Sequence, residues 1–482
     1  MSEMKSLAKD TAIYGLSSII GKFLNYLLVP LYTYALARTA DYGIVTNIYA
    51  WTALLLVILT YGMETGFFRF ANREDYDPKS VYKTAFLTLL TTSTLFAVLV
   101  VLFRQPIANL LGYADHSEFI AMMFATVAVD AFACIPFAYL RYQKRSMVFA
   151  ALKLLFVVLN IGFNILFLVV LGKNDVFYVF LSNILATGIQ TICLLPMTMP
   201  KGGRFSWETL HVMLRYSLPL LVLGVAGIMN QTLDRILFPY LYAGADAQAQ
   251  LGIYGACFKV AMVMMMFTQA FRYAYEPFVF AKHKDRQSVE AYADAMKYYI
   301  IFSYLILLGV IFYLDIFRYI ISSAYWEGLK IVPVVLWTYV FQGIYFNLSF
   351  WYKLTDQTLW GALFSGIGCL VLFAINFIFI PKIGYMACAW AGVGGYGTAT
   401  LLSYFVGQKK YKIDYPLVDI LIYCIVAAIL YAGMVVANNH LNTWVALAVN
   451  VLLILIFCAL IAWRDLPLSS LPVVGKYFRK RV

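Results

Sequence analysis

The residues of this chain that could do chemistry stand inside apolar stretches, where each is costly. A charged side chain at the centre of a membrane-spanning helix costs about 2.5–3.5 kcal/mol on the insertion scale, so it needs a partner or water. Ser18, Lys22 and Asn25 follow one another at spacings of four and three and so share one face of a helix. Lys153, Asn160 and Asn164 share a face further along, and Asn230, Gln231, Asp234 and Arg235 form a tight polar group. The longest run is Lys259, Met262, Met266, Gln269, Arg272 and Glu276, which steps by three or four into a single stripe. Such a stripe suits the wall of a water-filled path better than contact with lipid. The chemistry is noncovalent: a polar cargo held by charge and hydrogen bonds. No catalytic constellation or metal set is present in the pattern, since His116, His211, His283 and His440 are scattered without HExxH spacing. The seven cysteines lie in apolar runs without CxxC spacing and read as small apolar residues.

For several of these residues two roles stay open. Arg272 and Glu276, at i and i+4, either line the path or neutralise each other where helices pack. Arg69 and Lys153, near the inner surface, either bind cargo or extend their heads to lipid head groups. Asp130 either belongs to a packing network or carries a coupling proton. Lys22 and Arg235 lie deeper and read as cavity-lining. The candidate binding set is therefore Lys22, Asn25, Arg235, Lys259, Gln269 and Arg272. Glu64, Arg69, Asp130, Lys153, Asn160, Asn164, Asp234 and Glu276 form a second tier.

The elements that must position them follow from composition. Of 482 residues, 63% are hydrophobic and 12% charged, with a mean hydropathy of +0.79. Soluble globular chains average about 45–50% apolar and about 25% charged residues, so this is an integral membrane protein. No hydrophilic segment is long enough to fold as a separate soluble domain. A span of about 20 helical residues crosses the hydrocarbon core, and cutting the apolar stretches at Gly, Pro and charge clusters leaves fourteen candidate helices between residues 11 and 463. The fold expected is all-α and polytopic. The first stretch, 11–36, is too long for a signal peptide's apolar region and is expected to stay as a helix. Net charge is +12, but the basic residues flank apolar segments rather than forming a nucleic-acid stripe. With both termini cytoplasmic, inner segments hold 25 Lys and Arg and outer segments 6, the asymmetry the positive-inside rule demands.

The chain also repeats itself. At an offset of 209, Leu28-Val29-Pro30 falls on Leu237-Phe238-Pro239 and Tyr42-Gly43-Ile44 on Leu251-Gly252-Ile253. At 212, Arg141 falls on Lys353, Asn164 on Asn376 and Gly172 on Gly384. Six helices is an even number, so the two copies run parallel, about an axis along the membrane normal; transporters place their site between such halves. The expected organisation is an N-lobe over 1–209 with helices one to six, a C-lobe over 210–412 with helices seven to twelve, and helices thirteen and fourteen with a basic tail over 413–482.

The opening GKFLNYLLVPLY (Gly21 to Tyr32), then DYGIVTNIY (Asp41 to Tyr49) and GMETGFFRFAN (Gly62 to Asn72), resembles the polysaccharide flippases of the multidrug/oligosaccharidyl-lipid/polysaccharide (MOP) exporter superfamily. Tyr275 to Phe278 and the element Ile378 to Tyr396 are similar to that family's second half, although Cys388 stands where the family more often has Ala. The resemblance implies a two-lobed, V-shaped exporter, not an enzyme, that turns an undecaprenyl-diphosphate-linked oligosaccharide to the outer leaflet by alternating access. The expected setting is a bacterial cytoplasmic membrane, with lipids and polysaccharide assembly proteins as partners, a monomer and no cofactor; the coupling ion, H+ or Na+, is not given by the sequence. A peptidoglycan-precursor flippase and a drug or cation antiporter are the alternatives within the superfamily. A sugar polymerase or ligase is disfavoured because the outer loops are short.

Overall fold

The computed structural model describes residues 20, 21, 23, 24, 26–281, 287–355 and 357–465. Ser18, Lys22, Asn25, His283 and the side chain of Glu276 lie outside that description. Among the described residues every regular element is helical. The major helices are α1 (Leu28–Ala35), α2 (Thr39–Thr60), α3 (Met63–Ala71), α4 (Pro78–Leu102), α5 (Ser117–Tyr142), α6 (Ser146–Asn164), α7 (Val176–Thr198) and α8 (Trp207–Leu241). They continue with α9 (Ala247–Val260), α10 (Met262–Ala281), α11 (Gln287–Phe312), α12 (Val332–Leu348), α13 (Leu359–Ile383), α14 (Tyr385–Lys410), α15 (Leu417–His440) and α16 (Thr443–Arg464).

Eleven helices of the described residues are long and apolar enough to cross a membrane, and twelve if the pair α9 and α10, bent by 44°, is one span. The first of the fourteen expected stretches lies mostly outside the described residues. Another is α14, whose 26 residues include Gly394, Gly395 and Gly397 and end in Lys409 and Lys410, which dilute its apolarity. The stretch 250–281, read as one straight helix, is broken at Ala261, so the stripe from Lys259 to Arg272 does not run along a single axis.

Local chemistry sets the helix ends. The Asp41 carboxylate in the first turn of α2 accepts the Arg38 backbone N–H and a guanidinium N–H, both at 3.0 Å. Asp77 caps α4 by accepting the amides of Lys79 at 3.2 Å and Ser80 at 3.1 Å, with Pro78 at the first helical position. Ser206 caps α8 by accepting the Thr209 amide at 3.1 Å.

The helices gather into two compact units: one comprises the described residues of Met1–Lys259 and Ser365–Gly395, the other those of Val260–Phe364 and Tyr396–Val482. In the first unit, Phe67, Tyr82, Phe86, Phe132 and Met213 pack a buried aromatic core across α3, α4, α5 and α8. In the second, the Lys297 ammonium on α11 is paired with Asp419 at 2.8 Å and with Asp465, while the Arg464 guanidinium also donates to Asp419 at 2.5 Å. That network fastens α15 and α16 to α11.

The sequence repeat is visible as symmetry inside the first unit. Gly43 and Gly252 are 209 positions apart, and α2 and α9 cross at them. A Cβ on Gly43 would lie 1.8 Å from the Gln248 carbonyl oxygen, and one on Gly252 would lie 2.0 Å from that of Thr39. Thr39 and Gln248 are themselves 209 apart, so each contact is the repeat image of the other. The offset of 212 holds as well. Asn164 and Asn376 are both fully buried, and Gly172 and Gly384 both take a left-handed backbone, at φ +62° and +58°, which glycine adopts without steric cost.

Candidate functional site

Two cavities open within the first unit. The first, of about 420 Å³, is walled by Tyr32, Tyr42, Tyr49, Asn160, Asn183, Arg235 and Lys259 among its lining residues, and among the described residues no carboxylate lines it. Its geometry is built from fixed polar contacts. Asn183 donates to the Tyr49 hydroxyl at 2.8 Å, and the Asn47 amide donates to the Arg235 carbonyl at 2.6 Å. Asn47 in turn accepts the Tyr113 hydroxyl at 2.8 Å. The Arg235 guanidinium stacks 4.1 Å from the centre of the Phe258 ring, with its Nε 3.9 Å from Asp234. Asp234 points away from the cavity's lining and accepts the Tyr254 hydroxyl. One negative charge is therefore drawn back into the protein, while two positive charges face the open space.

The second cavity, of about 570 Å³, is lined by Glu64, Asp130, Cys134, Arg141, Lys153 and Gln190, with Phe137, Phe149 and Phe156 among its apolar walls. Here acids and bases are equal in number. The Glu64 carboxylate accepts the Arg141 guanidinium and the Cys134 thiol, the latter at 3.2 Å. The Lys153 ammonium lies 3.9 Å from the centre of the Phe137 ring. Asp130 faces the same space.

Placement of the sequence candidates is thus uneven. Arg235, Lys259 and Asn160 meet at the first cavity, and Glu64, Asp130 and Lys153 at the second. Asn164 lies one turn beyond Asn160 and donates to its carbonyl at 2.8 Å rather than facing either cavity. Arg69 is exposed and stacks on Tyr216 at 4.1 Å, so it is not brought to either lining. Gln269 and Arg272 belong to the second unit, where the Arg272 guanidinium lies 5.3 Å from the Phe346 ring centre. Sequence reading missed Arg141, counted as an inner-loop cation, and Cys134, read as apolar filling. The signal for Arg141 was Glu64 itself: a carboxylate in an apolar helix needs a cation, and Glu64 has no opposite charge on its own face one turn away.

A family model described as polysaccharide biosynthesis protein matches residues 7–275, more than half of the chain. The chain belongs to the polysaccharide biosynthesis protein family. No curated protein matches it. Among solved structures, this family member is similar to the lipid II flippase MurJ in an inward closed conformation, with a TM-score of 0.75 at 16% identity over 94% of this chain and 99% of that one. It is also similar to an inward-facing multidrug resistance MATE transporter of the MOP superfamily, at 0.67 and 12% over 83% and 97%. An outward-facing MATE structure gives 0.56 and 14% over 83% and 95%. The family member therefore has the MOP fold in a multi-pass membrane protein.

Proposed function

We propose that this chain is a flippase that moves an undecaprenyl-diphosphate-linked oligosaccharide from the cytoplasmic to the outer leaflet of a bacterial cytoplasmic membrane. The observation that carries the reading is the cationic cavity: Arg235 and Lys259 face it with tyrosines and amides, and among the described residues no carboxylate lines it. A diphosphate and its sugars lose their hydrogen bonds to water in hydrocarbon, and these groups replace part of that solvation. An antiporter of lipophilic cations, the runner-up, would instead favour acids in the cavity.

The cargo would enter from the cytoplasmic side and leave outward by alternating access, driven by differential binding to two states. The prenyl tail stays in lipid, so the protein acts without covalent chemistry or cofactor, as a monomer with both termini cytoplasmic. A proton or sodium gradient is the expected energy source, and polysaccharide assembly proteins are the expected neighbours. Membership of the family supports the pathway; likeness to MurJ supports a lipid-linked cargo without choosing between peptidoglycan precursor and other glycans.

The test is translocation of a prenyl-diphosphate disaccharide into the inner leaflet of proteoliposomes, scored by its loss of access to an external glycosidase. Wild-type protein should move it, and the R235Q/K259Q double variant should move it more than about ten-fold more slowly, from loss of two charge-assisted contacts. Equal rates for the two proteins, or efflux of a lipophilic cation with no lipid movement, would sink the reading.

A further inference from the structure

We infer that the charge-balanced cavity is a second subsite, which takes an uncharged sugar ring of the oligosaccharide while the cationic cavity takes its diphosphate. This rests on the flippase reading above. The two cavities are neighbours on one helix. Phe156 lines both, and Lys153 and Asn160, three residues before it and four after, face the second and first cavities respectively. A single face of α6 therefore leads from one to the other.

The polar groups of the second cavity sort into those hydrogen-bonded within the protein and a pair, Asp130 and Lys153, that act on each other through charge alone. Glu64 and Arg141 bind each other, and the Cys134 thiol takes a further Glu64 lone pair. Gln190, which also lines the cavity, donates through its amide nitrogen to the Leu152 carbonyl at 2.9 Å. Asp130 and Lys153 make no hydrogen bond among the described residues, and both line the open space. The Arg141 Nε is buried without a hydrogen-bond partner among the described residues.

A ligand for this site must supply donors to a carboxylate, acceptors to an ammonium, and an apolar face to Phe137, Phe149 and Phe156. Two acids against two bases give no net attraction for an anion or for a cation, and the described residues hold no cluster of metal-ligating side chains. A sugar ring satisfies all the requirements. Neighbouring hydroxyls each donate and accept, so they pair with Asp130 and Lys153 together, and the ring's C–H face lies against the aromatic walls. The Lys153 ammonium is held at the cavity by its place 3.9 Å from the centre of the Phe137 ring. The site is concave, mostly apolar and supplied with a few convergent polar groups, the usual make-up of a small-molecule pocket.

Binding is measured on the full-length protein in lipid nanodiscs with two probes: a short-chain prenyl diphosphate, and the same lipid carrying a neutral disaccharide. D130N and K153Q should each weaken binding of the glycosylated probe about ten-fold, as expected for one charge-assisted hydrogen bond. Neither should alter the affinity for the bare diphosphate, and that unchanged affinity also shows the variants to be folded. R235Q should weaken both probes alike. The subsite is overturned if D130N and K153Q leave both affinities intact or lower both equally. It is overturned as well if D130N spares both affinities yet removes the dependence of transport on pH or sodium, which would make the cavity an ion site. Failure of wild-type protein to bind either probe would sink the flippase reading itself, and the subsite with it.

Discussion

Helices α2 and α9 occupy equivalent places in the two copies of the repeat and meet in the same way, yet they bring different side chains to the cavity between them. Gly43 and Gly252 allow the two backbones into contact, each against the other's repeat image. Seven positions further on, Ala50 stands on α2 and Lys259 on α9, and both line the cationic cavity. Four positions past the glycines, Asn47 binds Tyr113 and the Arg235 carbonyl, whereas α9 has Ala256. The duplication thus keeps backbone approach in both copies, gives the cavity tyrosines from α2, and puts the cation on α9. Close packing needs symmetry, because two helices crossing on an axis each require a small residue at the crossing. A cargo with a charged end and a neutral end needs the opposite.

The largest effect should come from filling the crossing. Gly43→Leu or Gly252→Leu puts a side chain where the partner's carbonyl already is, and overpacking of this kind costs about 1–3 kcal/mol or more. Both variants should be lost from the membrane fraction or elute as aggregate on size exclusion. A stable, monodisperse Gly252→Leu protein would mean that α2 and α9 do not cross there. Next comes Asn47→Ala, which strands the Arg235 carbonyl and takes the acceptor from the Tyr113 hydroxyl, which keeps only the Gln248 amide as donor at 3.2 Å among the described residues; about 2 kcal/mol of stability should go, read as a lower unfolding temperature in detergent. If unfolding were unchanged, the contact to Arg235 would not be holding α8 to α2.

The third prediction moves the charge across the axis. Lys259→Ala should weaken binding of a prenyl diphosphate about ten-fold. Adding Ala50→Lys restores a cation to the same cavity from the other copy, and part of the affinity should return. No recovery would show that the position of the charge matters and not only its presence in the cavity.

Much of this was legible before the structure. Periodicity exposed the helices, and the offsets of 209 and 212 located Gly43, Gly252, Gly172 and Gly384, because a repeat is a property of order along the chain. The polar residues of the two cavities were legible as types, since a charge in an apolar helix is conspicuous. Their grouping was not. Lys259 and Arg272 share a helical stripe but stand in different compact units, since the chain bends at Ala261 without a Gly or Pro to announce it. Glu64 and Arg141 are 77 positions apart and meet only because α3 packs on α5; no spacing rule carries that information. Cys134 reads as apolar in sequence and becomes a donor only beside Glu64.

The smallest effect concerns the two breaks. The α2–α3 break passes through Tyr61 and Gly62 at φ +33° and +69°, so both are in the left-handed region. At Gly62 a Cβ would also stand 3.0 Å from the Ser217 carbonyl oxygen. Gly62→Ala should therefore cost about 1 kcal/mol, from the backbone that an L side chain resists and from the need for α8 to yield slightly. Gly62→Asn should cost less than a β-branched substitution such as Gly62→Val, because a short polar side chain tolerates this conformation. The α9–α10 break makes no such demand, since Ala261 has no positive φ among the described residues. Its bend follows the weaker i to i−3 bond from the Met264 amide to the Ala261 carbonyl at 3.2 Å. Ala261→Gly should then lower stability only by the extra freedom of the unfolded chain and one buried methyl, about 1 kcal/mol at most. The order that matters is within Gly62: if Val, Asn and Ala there unfolded at the same temperature as wild type, the first break would be held by packing and not by its left-handed backbone.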